Sequence, residues 1–215
     1  MTHNIKLEKG EYGNRAVITS TWSVDMISFL LNENIMELEL NDGKGWQGDD
    51  ILFLANFPNL QALKLIDLKI KDIDPIHYLT NLKRLELITY SKTEINFSVF
   101  SQLVVCALEW RPKVSSFFEA TTLRRLFINR YPGKNVDLFA KLVNLQSLAI
   151  LNAPIENLYG ISQLVGLRSL RLANLKQLRS LAGIENLINL EQLEIHTCPA
   201  VSSIEEIGSL LRLKK

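Results

Sequence analysis

The sequence predicts an α/β solenoid, with a parallel β-sheet on its concave face and 3₁₀ or turn segments on its convex face. Three observations predict it. A short apolar pattern, LxxLxL, recurs eight times along the 215 residues. Its intervals cluster near 22 residues, the signature of a chain built by stacking one unit. Between recurrences, apolar residues fall at every third position.

Position 1 of the pattern falls at Ile35, Leu60, Leu82, Leu103, Leu123, Leu145, Leu167 and Leu190, at intervals of 25, 22, 21, 20, 22, 22 and 23 residues. LxxLxL reads as a strand whose alternate residues point inward. The apolar period of three, as in Val136-Phe139-Leu142 and Leu158-Ile161-Leu164, suits 3₁₀ geometry, in which residues i and i+3 eclipse. The fourth repeat has a competing register, Val105-Leu108-Trp110, which gives intervals of 23 and 18. Phe97-Phe100 before it and Val114-Phe117-Ala120 after it select Leu103-Cys106-Leu108 instead. That register makes Cys106 a core residue and turns Trp110 outward.

The expected organisation is an N-terminal cap over residues 1–34, then a solenoid over 35–215 holding eight repeats and the start of a ninth. In the cap, Ile5–Lys9 and Arg15–Thr19 read as a hairpin around Gly10 to Asn14. Ser23 reads as the N-cap of an amphipathic helix reaching Asn34, with Val24, Ile27, Leu30 and Leu31 on one face. At the other end Ile204-Ile207-Leu210 leads into Leu213 as a ninth position 1. An open end there points to a natural solenoid that continues further, ahead of a loosely ordered tail or an end-to-end contact in a dimer.

The 22-residue form LxxLxLxxxxIxxLxxIxxL, clearest from Leu145 to Leu164, resembles the internalin-type class of bacterial leucine-rich repeats. The resemblance covers residues 35–213 and implies a right-handed leucine-rich-repeat solenoid. That class carries Asn at position 9, where its amides ladder between turns. Here position 9 reads Gly43, Leu68, Tyr90, Arg111, Tyr131, Ala153, Leu175 and Cys198. The turns are therefore expected to satisfy their backbone otherwise, through Asp42, Asp67, Asn152 and Asn174 at position 8.

With the inward positions committed to packing, function is expected on outward strand residues and in the loops after them. The outward set begins with Glu37, Glu39 and Asn41. Around Ile88, Phe127 and Leu151 it becomes an apolar strip rimmed by charges such as Arg125, which suits a protein partner unless neighbouring arginine stems cover it. The loops of repeats three to five pair aromatics with cations: Tyr90 with Lys92, Trp110 with Arg111 and Lys113, and Tyr131 with Arg130 and Lys134. Such an edge can stack on planar groups and attract carboxylate or phosphate. It can equally be structural, with arginines and aromatics filling the space an Asn ladder would close.

Other classes find little support. No apolar run approaches eighteen residues, and the first ten residues hold no apolar h-region. Both features point to a cytosolic or host-delivered protein without a membrane span. The net charge of +1 gives no global pull toward nucleic acid. Cys106 and Cys198 match no metal or redox spacing. His3, His77 and His196 are scattered, and Gly43-Lys44-Gly45 lacks the Lys-Ser/Thr and helix of a phosphate loop. No cofactor, metal or catalytic residue is expected. The leading expectation is a module that binds a protein through the concave face and the aromatic-basic edge. Nucleic-acid or anionic-ligand binding on that edge, and a structural spacer in a longer repeat protein, are the rivals.

Overall fold

The computed structural model describes residues 4–214, so His3 lies outside the described residues. They form two compact units, residues 4–103 with 111–117 and residues 104–110 with 118–214.

The first unit opens with an antiparallel hairpin, β1 (Ile5–Lys9) and β2 (Asn14–Ile18). A short helix follows, α1 (Met26–Asn32), and then three parallel strands, β3 (Ile35–Asn41), β4 (Ala62–Ile66) and β5 (Arg84–Ile88). The helix is shorter than the sequence suggests. Ser23 bonds to the Asp25 carboxylate and its carbonyl closes a turn on the Met26 N–H, so the helix begins later. Its buried pair is Met26 and Leu30, one turn apart, while Val24 and Leu31 are exposed.

The second unit is a run of five parallel strands: β6 (Val105–Glu109), β7 (Arg125–Asn129), β8 (Ser147–Leu151), β9 (Ser169–Ala173) and β10 (Gln192–His196). The strands return through 3₁₀ turns at Asp137–Lys141, Tyr159–Gln163, Ile184–Asn186 and Glu205–Ser209. The first unit returns in the same way at Leu52–Asn56, Asp74–Tyr78 and Phe97–Val99, so each unit is a leucine-rich-repeat solenoid, strand on one side and 3₁₀ turn on the other.

The inward residues form the core. Leu145, Leu148 and Ile150, like Leu167, Leu170 and Leu172, are fully buried, as are Phe139, Leu142, Leu158, Ile161 and Leu164 on the return side. Each such side chain contributes about 1.5–3 kcal/mol on leaving water. Leu103, Cys106, Leu108, Val114 and Phe117 are buried as well, which fixes the register of the fourth repeat.

Two charged residues counted as outward by pattern are buried. The hairpin turn lies over Glu37, whose carboxylate accepts the Tyr12 N–H at 2.7 Å and leaves no room for a Cβ at Gly10. Glu39 is wholly buried among Arg15, Lys44 at 2.9 Å and Lys64 at 3.9 Å. Burial pushes its carboxyl up, but the bonds from Lys44 and Asn41 and the charges of Lys64 and Arg15 bring it below the ordinary carboxylate range. A depressed folded value means that the unfolded chain binds the proton more readily. The stability contributed is therefore complete above the unfolded value and lost as pH falls through the folded one. Glu39→Gln should cost about 1–3 kcal/mol near neutral pH, because it removes the charge-assisted bonds that Arg15 and Lys44 make to a buried carboxylate. The variant should also lose less stability than wild type below about pH 4. Urea denaturation across pH checks both, and parallel pH curves would count against this role for Glu39.

Candidate functional site

Registered pairing sets the outward residues of the second unit in rows across the sheet. One row runs Ala107, Phe127, Ala149, Arg171, Glu194. The row before it runs Val105, Arg125, Ser147, Ser169, Gln192, and the row after it Glu109, Asn129, Leu151, Ala173, His196. Phe127 therefore stands between two alanines on adjacent strands. Its ring is 40% exposed, with the smallest apolar side chains on both flanks. Arg125 is exposed beside it, Leu151 is half-buried, and Arg171 pairs with Glu194 at 3.4 Å. His196 lies 3.5 Å from the same carboxylate. The face is an aromatic knob with shallow hollows, rimmed by charge.

The loops after these strands behave differently. Arg130, Asn152, Asn174 and Thr197, all at position 8, adopt the left-handed conformation at φ 60°, 52°, 57° and 52°. Each of the first three still donates its N–H to the next coil, at 2.9–3.0 Å. The amides ladder after all, at another position: Asn152 Nδ2 donates to Asn129 Oδ1 at 2.8 Å, and Asn174 Nδ2 to Asn152 Oδ1 at 3.0 Å. Position 9 turns inward instead, where Tyr131, Ala153 and Leu175 are buried. Tyr131 packs edge-on against Trp110 at 5.1 Å, Phe139 at 5.1 Å and Phe118 at 6.1 Å. Burial, with help from Asp137, raises its phenol above the ordinary tyrosine range. Trp110 is half-buried against Tyr131 and Phe118 rather than turned fully outward. Two of the loop cations have carboxylate partners, Arg130 with Glu109 at 3.2 Å and Lys134 with Glu156 at 3.3 Å.

In the first unit, Ile88 is half-buried, while Tyr90, Lys92 and Lys113 are exposed. Lys113 is in the left-handed region at φ 63°. Arg111 is buried, bonds the Thr93 carbonyl, and is pushed below the ordinary arginine range by desolvation. Of the position-8 residues, Asp67 does bond backbone: it accepts from Lys69 N–H at 2.7 Å, from Ile70 N–H at 3.3 Å, and from the Trp46 indole at 3.0 Å. Thr89, Ser91 and Thr93 continue this polar seam. Among the described residues, no group of three or more His, Cys, Asp or Glu is arranged to hold a metal ion. No described helix is long and apolar enough to cross a membrane.

No protein-family model and no curated sequence matches the chain. Solved structures do. The chain is similar to an internalin, InlF, of Listeria monocytogenes, with a TM-score of 0.70 and 22% identity over 92% of this chain. A leucine-rich-repeat protein of Leptospira interrogans gives a TM-score of 0.67 at 20% identity over 91%. The internalin InlC2 of Listeria monocytogenes gives 0.51 at 23% identity over 93%. At these identities the likeness is one of fold, a bacterial internalin-type leucine-rich-repeat solenoid. The chain spans 59% of InlF and 50% of the Leptospira protein.

The loop geometry separates residues that hold the fold from residues that sit on it. Tyr131→Ala should cost about 3–5 kcal/mol, the range for emptying a buried aromatic site. Tyr90→Ala, on an exposed ring, should change stability by less than about 0.5 kcal/mol. Chemical denaturation of both variants checks this, and equal losses would overturn the distinction.

Proposed function

We propose that this chain is a protein-interaction module and that the outward sheet face of the second unit, centred on Phe127, is its docking surface. The observation that carries the reading is a large aromatic ring standing 40% exposed between Ala107 and Ala149 on a regular sheet. The core does not need it there, since Leu126 and Ile128 on the same strand do the inward packing. The flanking alanines leave room for a partner to close on both faces of the ring, the geometry of an interface anchor. Arg125, Leu151 and the Arg171–Glu194–His196 group supply a mixed rim. The fold shared with internalins supports the reading, because a solenoid sheet presents a broad, preformed surface.

The loop edge contributes less. Tyr131 and Arg111 are taken up in packing, and Arg130 and Lys134 are paired with carboxylates. Ile88, Tyr90, Lys92 and Lys113 belong to the first unit, and the surface proposed here is drawn on the second alone.

Once a partner is isolated by affinity capture from the native source, its affinity for Phe127→Asp should fall about 30–1000-fold, the range of an interface anchor. Lys134→Glu should change it less than about threefold, as rim charges do. Calorimetric titration with the purified partner reads both, and circular dichroism confirms that each variant is folded. Full affinity in Phe127→Asp would remove the sheet face from consideration. Loss in Lys134→Glu alone would move the site to the loop edge.

A further inference from the structure

From the second repeat onward the chain makes the same tight turn just before each strand, closed by the N–H of position 1 bonding back three residues. The bonds from Leu60, Leu82 and Leu103 in the first unit measure 3.0–3.1 Å, and those from Leu145, Leu167 and Leu190 in the second measure 2.8–3.0 Å. Two residues lie inside this turn, and the first of them is exposed in each case. In the first unit it is Pro58, Thr80 or Ser101, so the turn itself makes no demand for an aliphatic side chain. In the second unit the same place holds Thr121 and then Val143, Val165, Ile188 and Leu211. These four are 55%, 52%, 64% and 93% exposed.

The coils that carry them are in register. Arg168 N–H bonds Gln146 O, Glu191 N–H bonds Arg168 O, and Lys214 N–H bonds Glu191 O, all at 2.8–2.9 Å, a few residues further on. Asn189 bonds the Val165 carbonyl at 2.9 Å directly between two of them. The side chains thus form one stripe with a spacing of about 4.8 Å, the separation of adjacent strands. Apolar residues scattered singly over a surface are ordinary, but a contiguous row is not. Within three residues of the stripe lie Lys141, Arg168, Arg212 and Lys214 against two carboxylates, Glu185 and Glu191, the second of which Arg168 and Lys214 engage.

We propose that this strand-start edge of the second unit is a second interaction surface, one that takes an acidic amphipathic α-helix of a protein partner. Two features select that occupant. The stripe advances about 4.8 Å per residue, against 5.4 Å per turn of helix, so a helix laid along it meets one knob per turn over the whole row. The cationic border complements acidic flanks and opposes pairing with a second copy, which would set Lys141 near Arg212 and Lys214 of its mate. A bilayer is disfavoured because the stripe is purely aliphatic, with none of the Trp or Tyr that settle at headgroup level. The surface is independent of the Phe127 face and stands whether or not that face binds.

The test uses two synthetic helices of about 18 residues, each with leucines at i, i+3, i+4 and i+7, one filled with Glu and the other with Lys. They are titrated into the full chain labelled on its Val, Leu and Ile methyl groups. The Glu peptide should shift the methyl resonances of Val143, Val165, Ile188 and Leu211 and bind more weakly as salt rises. Its affinity should fall at least about tenfold in the Val165→Asp, Ile188→Asp double variant, roughly the loss of two small apolar contacts, and stay unchanged in Phe127→Asp. The proposal is overturned if neither peptide shifts the stripe, or if the Lys peptide binds as well. It is likewise overturned if the chain self-associates through the stripe by sedimentation, or if vesicles of phosphatidylserine and phosphatidylcholine displace the peptide.

Discussion

A strand that points alternate leucines inward cannot bury them by itself, and the architecture here follows from that constraint. Leu148 and Ile150 are sealed only because Leu126 and Ile128 lie on one side of them and Leu170 and Leu172 on the other. Stacking buries each set twice over, and register is fixed because a slip of one residue would turn every leucine to solvent. The 3₁₀ turns follow from the same demand: a return segment that must place an apolar residue inward every third position finds i and i+3 aligned. At β10, where the next coil would stack, Leu193 and Ile195 are only half-buried, which is the same rule seen from its other side.

Because the core consumes the inward residues, the outward rows are free to vary, and their variation is where recognition can be written. At the first coils the outward positions are spent on Glu37 and Glu39, held by the hairpin and by Arg15, Lys44 and Lys64. This arrangement docks the N-terminal hairpin on the first repeat by charge and hydrogen bonding as well as by packing. Further along, Phe127 is left standing between alanines without such company. A buried polar cluster can hold one element against another with directional specificity, whereas an exposed ring on the sheet adds little to the core beneath it.

The repeat was legible in the sequence down to the register of its least regular member, because periodicity is a direct imprint of burial. Cys106 in place of a leucine did not disguise it, since the flanking Phe97-Phe100 and Val114-Phe117 kept the return period. The loops were legible only in part. Position 9 lacks asparagine in every repeat, and that absence did not reveal that Asn129, Asn152 and Asn174 would ladder through positions 7 and 8 instead. Position 8 is left-handed in these loops; Asn152 and Asn174 are of the type that enters that region most readily, whereas at Arg130 and Thr197 the loop as a whole imposes it. The burial of Tyr131 and Arg111 was likewise hidden, since an aromatic beside a cation reads the same whether it is packed or presented. Asn81, Asn144 and Asn189, each just before a position-1 leucine, donate to carbonyls of the preceding coil at 2.9–3.0 Å, a role their spacing carries but the leucine pattern does not. The aliphatic stripe of the second unit sits one residue before such asparagines.

The departure at position 9 bears on recognition. Filling the loop interior with Tyr131, Ala153 and Leu175 gives the second unit an apolar seam beside the sheet. Packed side chains there confine the strand ends on the loop side, while asparagine to carbonyl bonds fix them at the strand-start side. A face held along both margins has little conformational freedom left to lose, so the contact proposed at Phe127 would not be offset by the entropy of ordering its support. The same reasoning explains why the stripe lies where it does: the turn that carries it is already closed by one backbone bond per coil. Aliphatic side chains on so short a turn have few competing conformations of the backbone beneath them. Both surfaces are thus preorganised by bonds that serve the fold first.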